Sequence, residues 1–255
     1  MGKSSRKKRP STDNTVTPSK TSHRSDGRTS SGKALMRKGR FPEYLLAAVV
    51  SLITFLAYLS SLRNEFVNWD DNSNVYENPY IRSLDMPFFK WAFFDFSAPG
   101  SDYWRPLSYL SHALDYSIWA LNPMGHHLSN IIFHALNTAV VVMVTIRLLS
   151  LYRNKTMLQT ASPWLTERGI LITAAVTGFL FGLHPVHVES VAWVSERKDL
   201  LCALFFLLGI LSYTKYVSVI EHKSVQLPLR FLNRHYLFAL GFFILALLLP
   251  WQLNT

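Results

Sequence analysis

Cysteine is almost absent. Cys202 stands alone among 255 residues, so no disulfide can form within the chain and the cysteine count says nothing about compartment. Acids and large apolar side chains are missing from the start: residues 1 to 40 contain only Asp13 and Asp26 among their carboxylates, against a run of Ser, Thr, Lys and Arg. Such a segment buries too little apolar surface to offset its ordering entropy, so 1–40 is expected to be a disordered basic cytoplasmic tail. Its "SRKKRP" has the composition of a nucleic-acid or nuclear-localisation patch. Beside a membrane span, anionic lipid headgroups are the better partner for it, and no nucleic acid is expected. With about forty polar residues before the first apolar run, it is not a signal peptide.

What the chain has in quantity is apolar sequence in blocks. Hydrophobic residues make up 49% of it, at a net charge of +10. Blocks of spanning length exclude an ordinary soluble domain. The pattern predicts an all-α membrane protein, a polytopic helical bundle of about five spans, over residues 41–253. The spans fall at about 44–62, 128–149, 170–183, 200–219 and 236–249. Positive charge sets their direction. Lys33, Arg37, Lys38 and Arg40 precede the first span, Arg147, Arg153, Lys155 and Arg168 lie between the second and third, and Lys215, Lys223, Arg230 and Arg234 between the fourth and fifth. Those segments belong in the cytoplasm, with the N-terminus. The outer loop 63–127 is acidic and faces outward or into a lumen, as does the connection from His184 to Asp199. A multi-pass protein of a bacterial inner membrane or of the endoplasmic reticulum satisfies this charge pattern.

The outer loop is rich in aromatics, which flexible linkers avoid, so it should pack and contain interfacial helices. In "RPLSYLSHALDYSIWAL", Leu107, Leu110, Leu114, Ile118 and Leu121 share one side, with Ser108, His112 and Asp115 beside them. This predicts a helix lying in the membrane interface with its apolar side down; a helix packed wholly on protein has the same pattern. The second span carries His127, Asn130, His134 and Asn137 on one face. Polar groups at membrane depth either join helices by hydrogen bonds or line a functional path, and His127, near the outer surface, favours function.

Candidate chemistry gathers on the outer side. "FVNWDDNSNVYENPY" puts Asp70 and Asp71 just past the first span. Carboxylate pairs in loops are usually turn formers, but one so placed can also take a proton from an attacking hydroxyl. "LHPVHVESVAWVSERKDLL" brings His184, His187 and Glu189 together with Arg197 and Lys198. The His/His/Glu group is a weak candidate for a divalent metal, since its spacing matches no strong zinc signature. Arg105, His127, His184, His187, Glu189, Arg197 and Lys198 form the candidate set for a donor phosphate or substrate, though basic residues flanking a span also serve as plain anchors. A phosphate-linked lipid suits such a site, because its tail stays in the bilayer.

Three blocks in this order, "FVNWDDNSNVYENPYI", "YWRPLSYLSHALDYSIWALNPMGHHLSNIIFHALN" and "GFLFGLHPVHVESVAWVSERKDLLCALFFLLGILSY", resemble the membrane part of the transmembrane and tetratricopeptide repeat-containing proteins. These are protein O-mannosyltransferase relatives in the C superfamily of membrane glycosyltransferases. The resemblance covers roughly residues 42–248 and implies transfer of a sugar, mannose in characterised members, from a polyprenyl or dolichyl phosphate to Ser or Thr hydroxyls of an acceptor protein. It implies an acidic base in the first outer loop, Asp70 or Asp71, with a slight edge to Asp71 as the second of the pair. Members of the family are longer, with further spans and tetratricopeptide repeats, and no repeat of 34-residue period is visible here. The expectation is therefore a truncated or partial enzyme, active alone or with a partner chain. The competing expectations are a non-catalytic remnant or interaction scaffold and a small transporter using the His/Asn stripe.

Overall fold

The computed structural model describes residues 40–95, 103–155, 163–222, 233–249 and 251–252; the tail expected over 1–40 lies, except for its last residue, outside the described residues. They are almost wholly helical. Helix α1 spans Arg40–Ala57 and continues after Tyr58 as a 3-10 turn, Leu59–Arg63. The 63–127 loop holds a wide helical turn, Asn72–Tyr76, and helices α2 (Met86–Phe94) and α3 (Pro106–Trp119). Then come α4 (Pro123–Lys155), α5 (Glu167–Gly182), the short α6 (His187–Ala192), α7 (Arg197–His222) and α8 (Arg234–Leu247). Residues Tyr103–Trp104 and Trp251–Gln252 form a two-residue antiparallel pairing.

Local chemistry explains the starts. Asp85 caps α2, accepting the Phe88 N–H at 3.0 Å, and Pro87 needs no partner in the first turn. Thr166 caps α5 through the Gly169 N–H at 3.0 Å, and Asn233 caps α8 through the His235 N–H at 2.9 Å. α4 is the central helix, packed by α1, α5 and α7, with α8 against α7.

Among the described residues, three helical stretches are long and apolar enough to cross a membrane: Phe41–Arg63, Pro123–Lys155 and Val194–Glu221. The other two expected spans are short. α5 has 16 residues and α8 has 14, about 24 and 21 Å at the helical rise, against a hydrocarbon core of about 30 Å.

α5 fits by close approach. A Cβ on Gly178 would lie 2.5 Å from Val142 Cγ2 and 3.0 Å from Val50 Cγ1, and one on Gly182 would lie 2.3 Å from Thr54 Oγ1. Small residues here let α5 sit against both α1 and α4, as in membrane helix pairs generally. Val50 and Val142 are fully buried and cannot retreat. Gly178→Ala is therefore expected to destabilise the bundle by about 1–3 kcal/mol through overpacking. Thermal unfolding in detergent measures this, and an unchanged midpoint would contradict the packing described.

The 63–127 loop makes a cap with its own core. Val75, Ile81, Phe88, Trp91, Ala92, Tyr109 and Ala113 close around Val194, which enters from the turn before α7. Tyr80 stacks flat on Trp91 with ring centroids 4.7 Å apart. α3 is inverted relative to a helix of a soluble domain. Ser108, His112 and Asp115 are buried, while Leu114 and Ile118 are 48% and 69% exposed. The polar strip thus packs on protein, Leu107 and Leu110 are half-buried with Leu110 against the cap core, and Leu114, Ile118 and Leu121 at the far end of the stripe are exposed.

Candidate functional site

The two adjacent carboxylates have opposite surroundings. Asp71 is 0% exposed. Its Oδ1 accepts the Ser195 amide at 2.9 Å and the Ser195 hydroxyl at 2.5 Å, and its Oδ2 accepts the Val67 amide at 2.9 Å. Asp70, half-buried, makes no side-chain hydrogen bond or ion pair among the described residues; only its carbonyl is engaged, by the Ser73 hydroxyl at 3.3 Å. With donors on both oxygens and no water contact, Asp71 is unavailable to a substrate hydroxyl. Asp70 is open.

The Asp71 contacts extend inward. Asn74 donates through Nδ2 to Ser195 Oγ at 3.3 Å, and its Oδ1 accepts from the Arg105 guanidinium at 3.1 Å. Arg105 is buried and also lies over the Tyr109 ring. Two residues beyond Ser195, Arg197 is 0% exposed. Its guanidinium ion-pairs with Asp115 at 2.6 Å and donates to Asn130 Oδ1 at 2.8 Å, the His126 carbonyl at 2.8 Å and the Ser111 hydroxyl at 3.1 Å. A cation at the first residue of α7 opposes the helix dipole. Asp115 offsets it, and Asp115 in turn accepts the Ser129 hydroxyl at 2.7 Å. Two buried carboxylates and two buried guanidinium groups thus sit within one connected interior, and buried charges persist only when matched in this way.

The polar stripe of α4 holds the chain between α5 and α7. Asn130 donates to the carbonyls of Val191 and Trp193 at 3.3 and 3.1 Å, His134 Nε2 lies 2.9 Å from the Gly182 carbonyl, and Asn137 donates to the Leu200 carbonyl at 2.9 Å. These partners are backbone carbonyls of the last residue of α5, of the 191–193 segment and of the first turn of α7; those at the ends of α5 and α6 lack a continuing helix to bond them. Through Asn130, His134 and Asn137 the stripe joins helices. His127 is fully buried against the 64–65 backbone, within electrostatic reach of Asp71.

The expected phosphate set is accordingly divided. Arg197 faces the interior with its donors occupied, and Lys198 pairs with Glu196. His127 and Arg197 lie within electrostatic reach of Asp71, and Arg105 is linked to it through Asn74 and Ser195. His184 and Glu189 are exposed, and His187 packs on Phe181 and His134 with ring centroids 4.6 and 5.5 Å away. Burial, and then His184 beside it, pushes the His187 pKa below the ordinary histidine value. No hydrogen bond or ion pair joins this group to Asp70 or Asp71 among the described residues. Nor, among them, do three His, Cys, Asp or Glu side chains converge as metal ligands, so the metal reading of His184, His187 and Glu189 finds no geometry.

Sequence reasoning gave His112 no role beyond the polar strip of α3. It is 1% exposed, its Nδ1 has no hydrogen-bond partner, and burial, then Arg197, His126 and Arg105, holds its pKa well below 6.5. The folded chain keeps this imidazole neutral while the unfolded chain protonates it near 6.5. Its contribution to stability is therefore complete above that value and is lost as pH falls below it, by about 1.4 kcal/mol per pH unit until the folded form protonates too. His112→Gln is expected to flatten this acid limb of a stability-against-pH curve; an identical limb in the variant would contradict it.

Comparisons with known proteins bear on the same geometry. Over 182 residues the chain is 37% identical to Protein O-mannosyl-transferase TMTC1 of Mus musculus, covering 66% of this chain and 17% of that protein. It is 31% identical over 186 residues to Protein O-mannosyl-transferase Tmtc1 of Drosophila melanogaster, covering 70% and 19%. It is 31% identical over 183 residues to Protein O-mannosyl-transferase TMTC4 of Homo sapiens, covering 68% and 23%. The chain belongs to the TMTC family. It spans between about a sixth and a quarter of the length of these TMTC relatives. No family model matches the sequence, and no solved structure matches it.

Proposed function

We propose that the chain forms the membrane part of a glycosyltransferase that moves mannose from a polyprenyl or dolichyl phosphate to Ser or Thr hydroxyls of a protein. Asp70 is the base. The acceptor oxygen attacks the anomeric carbon, the bond to the lipid phosphate breaks, the phosphate leaves with that electron pair, and the hydroxyl proton passes to the Asp70 carboxylate. The observation that carries this reading is the contrast within the pair: an enclosed Asp71 with both oxygens bonded beside a half-buried Asp70 whose carboxylate holds no hydrogen bond among the described residues. The names of the TMTC relatives supply the reaction class.

Asp71 positions and does not react, which reverses the edge given to it by its place in the pair. Arg197 and Arg105 support the fold and are not assigned to the phosphate. Charge bias supports a cytoplasmic N-terminus and a lumenal cap, and the animal source of the relatives named above favours the endoplasmic reticulum over a bacterial membrane. A transporter loses its basis, because the α4 stripe is occupied by backbone carbonyls. The test is mannose transfer from a lipid-phosphate donor to a Ser/Thr peptide by the chain in lipid nanodiscs, abolished by Asp70→Asn. No transfer under any donor lipid would favour a non-catalytic scaffold or a need for a partner chain over this reading.

A further inference from the structure

The turn before α7 contains a residue that no motif or resemblance singles out. Ser195 is 1% exposed and lies 124 positions from Asp71 in sequence. Its amide and its hydroxyl both donate to one oxygen of Asp71, and its hydroxyl accepts from Asn74, which lies on the same wide turn as Asp71's immediate successors. The turn is held from both sides. Val194 is built into the core of the outer cap, Arg197 is fixed by Asp115, Asn130, Ser111 and His126, and the Trp193 carbonyl is held by Asn130. Ser195 therefore projects from a rigid strut onto a loop that begins a few residues past a membrane helix.

We infer that Ser195 is a positioning residue for the carboxylate pair: by holding Asp71 it fixes the 70–76 turn so that Asp70 alone is presented at the outer surface. The inference rests on the reading of Asp70 as the base, and it adds what makes the two carboxylates inequivalent. Removing the hydroxyl leaves Asp71 with the Ser195 and Val67 amides only. The shortest of its contacts is lost, a buried charge is left under-bonded, and the turn gains freedom to bring Asp71 to water and to move Asp70 off line. A displacement of about 1 Å at a reacting group costs about a hundredfold in rate.

The test has two arms on the intact chain. In the first, carbodiimide-activated coupling of an amine to carboxylates is read by mass spectrometry. The native chain should label at Asp70 and be protected at Asp71, Ser195→Ala should lose the protection at Asp71, and Ser195→Thr, which keeps the hydroxyl, should restore it. Asn74→Ala, which leaves every donor to Asp71 in place, should label Asp71 to an intermediate degree and serves if Ser195→Ala does not fold. In the second arm, mannose transfer should show kcat about a hundredfold lower in Ser195→Ala with KM unchanged, and recovery in Ser195→Thr. Continued protection of Asp71 in a folded Ser195→Ala chain overturns the inference, as does unchanged kcat once Asp71 has become reactive. Labelling as expected with no transfer by the native chain sinks the transferase reading while the latch stands.

Discussion

Replacing Arg197 by Ala is expected to destabilise the chain by about 3–5 kcal/mol, the range for stripping one partner from a buried ion pair. The guanidinium is 0% exposed and reaches Asp115, Asn130, Ser111 and the His126 carbonyl, so four groups on α3 and α4 lose their shared donor at once. Asp115 would then remain in the interior with the Ser129 hydroxyl as its nearest donor. Lys cannot substitute, because a single ammonium does not reproduce a planar fork with divergent N–H groups. The double replacement Arg197→Met with Asp115→Leu should recover much of the loss, since a buried pair is often replaceable by apolar side chains even when each half alone is not. Thermal unfolding of the four species in detergent gives the coupling directly. Additive losses would mean that the pair is not the unit described here.

Asp70→Asn is expected to lower mannose transfer by about 10²–10⁴-fold, the usual contribution of a positioned base, with little effect on stability because its carboxylate has no partner to lose among the described residues. Asp71→Asn should behave differently. An amide nitrogen placed among the Ser195 and Val67 donors sets donor against donor, at a cost of about 1–3 kcal/mol. Its effect on transfer then follows from a displaced turn, so it should fall in kcat together with the unfolding midpoint. Two neighbouring aspartates thus carry separable signatures, one kinetic and one structural.

The long apolar runs of α1, α4 and α7 were legible in sequence because spanning length is a property of one segment. The polar stripe of α4 was legible as a face, since His127, Asn130, His134 and Asn137 recur at helical spacing, but its use was not. Its partners are carbonyls of residues 182, 191, 193 and 200, and no side-chain pattern marks a backbone acceptor about fifty to sixty residues away. Arg197 misleads for a related reason. Beside Lys198 at the end of a span it has the composition of a phosphate clamp or a membrane anchor, whereas the fold brings Asp115 to it from α3. Ser195 is invisible for the same cause in stronger form: a serine between valine and glutamate carries no signal, and only the approach of the 70–76 turn gives it a role. The shortness of α5 and α8 was legible too, since their apolar runs are no longer than the helices found; only the end points move, by up to about three residues.

The central claim is that Asp70 acts and Asp71 holds. The most direct measurement is mannose transfer from a lipid-phosphate donor to a Ser/Thr peptide by the native, Asp70→Asn and Asp71→Asn chains, each at matched folded concentration set by its unfolding curve. The prediction is near-complete loss in Asp70→Asn with the native unfolding midpoint retained, and a lowered midpoint in Asp71→Asn. Full transfer by Asp70→Asn, or a native midpoint in Asp71→Asn with transfer abolished, would contradict the assignment.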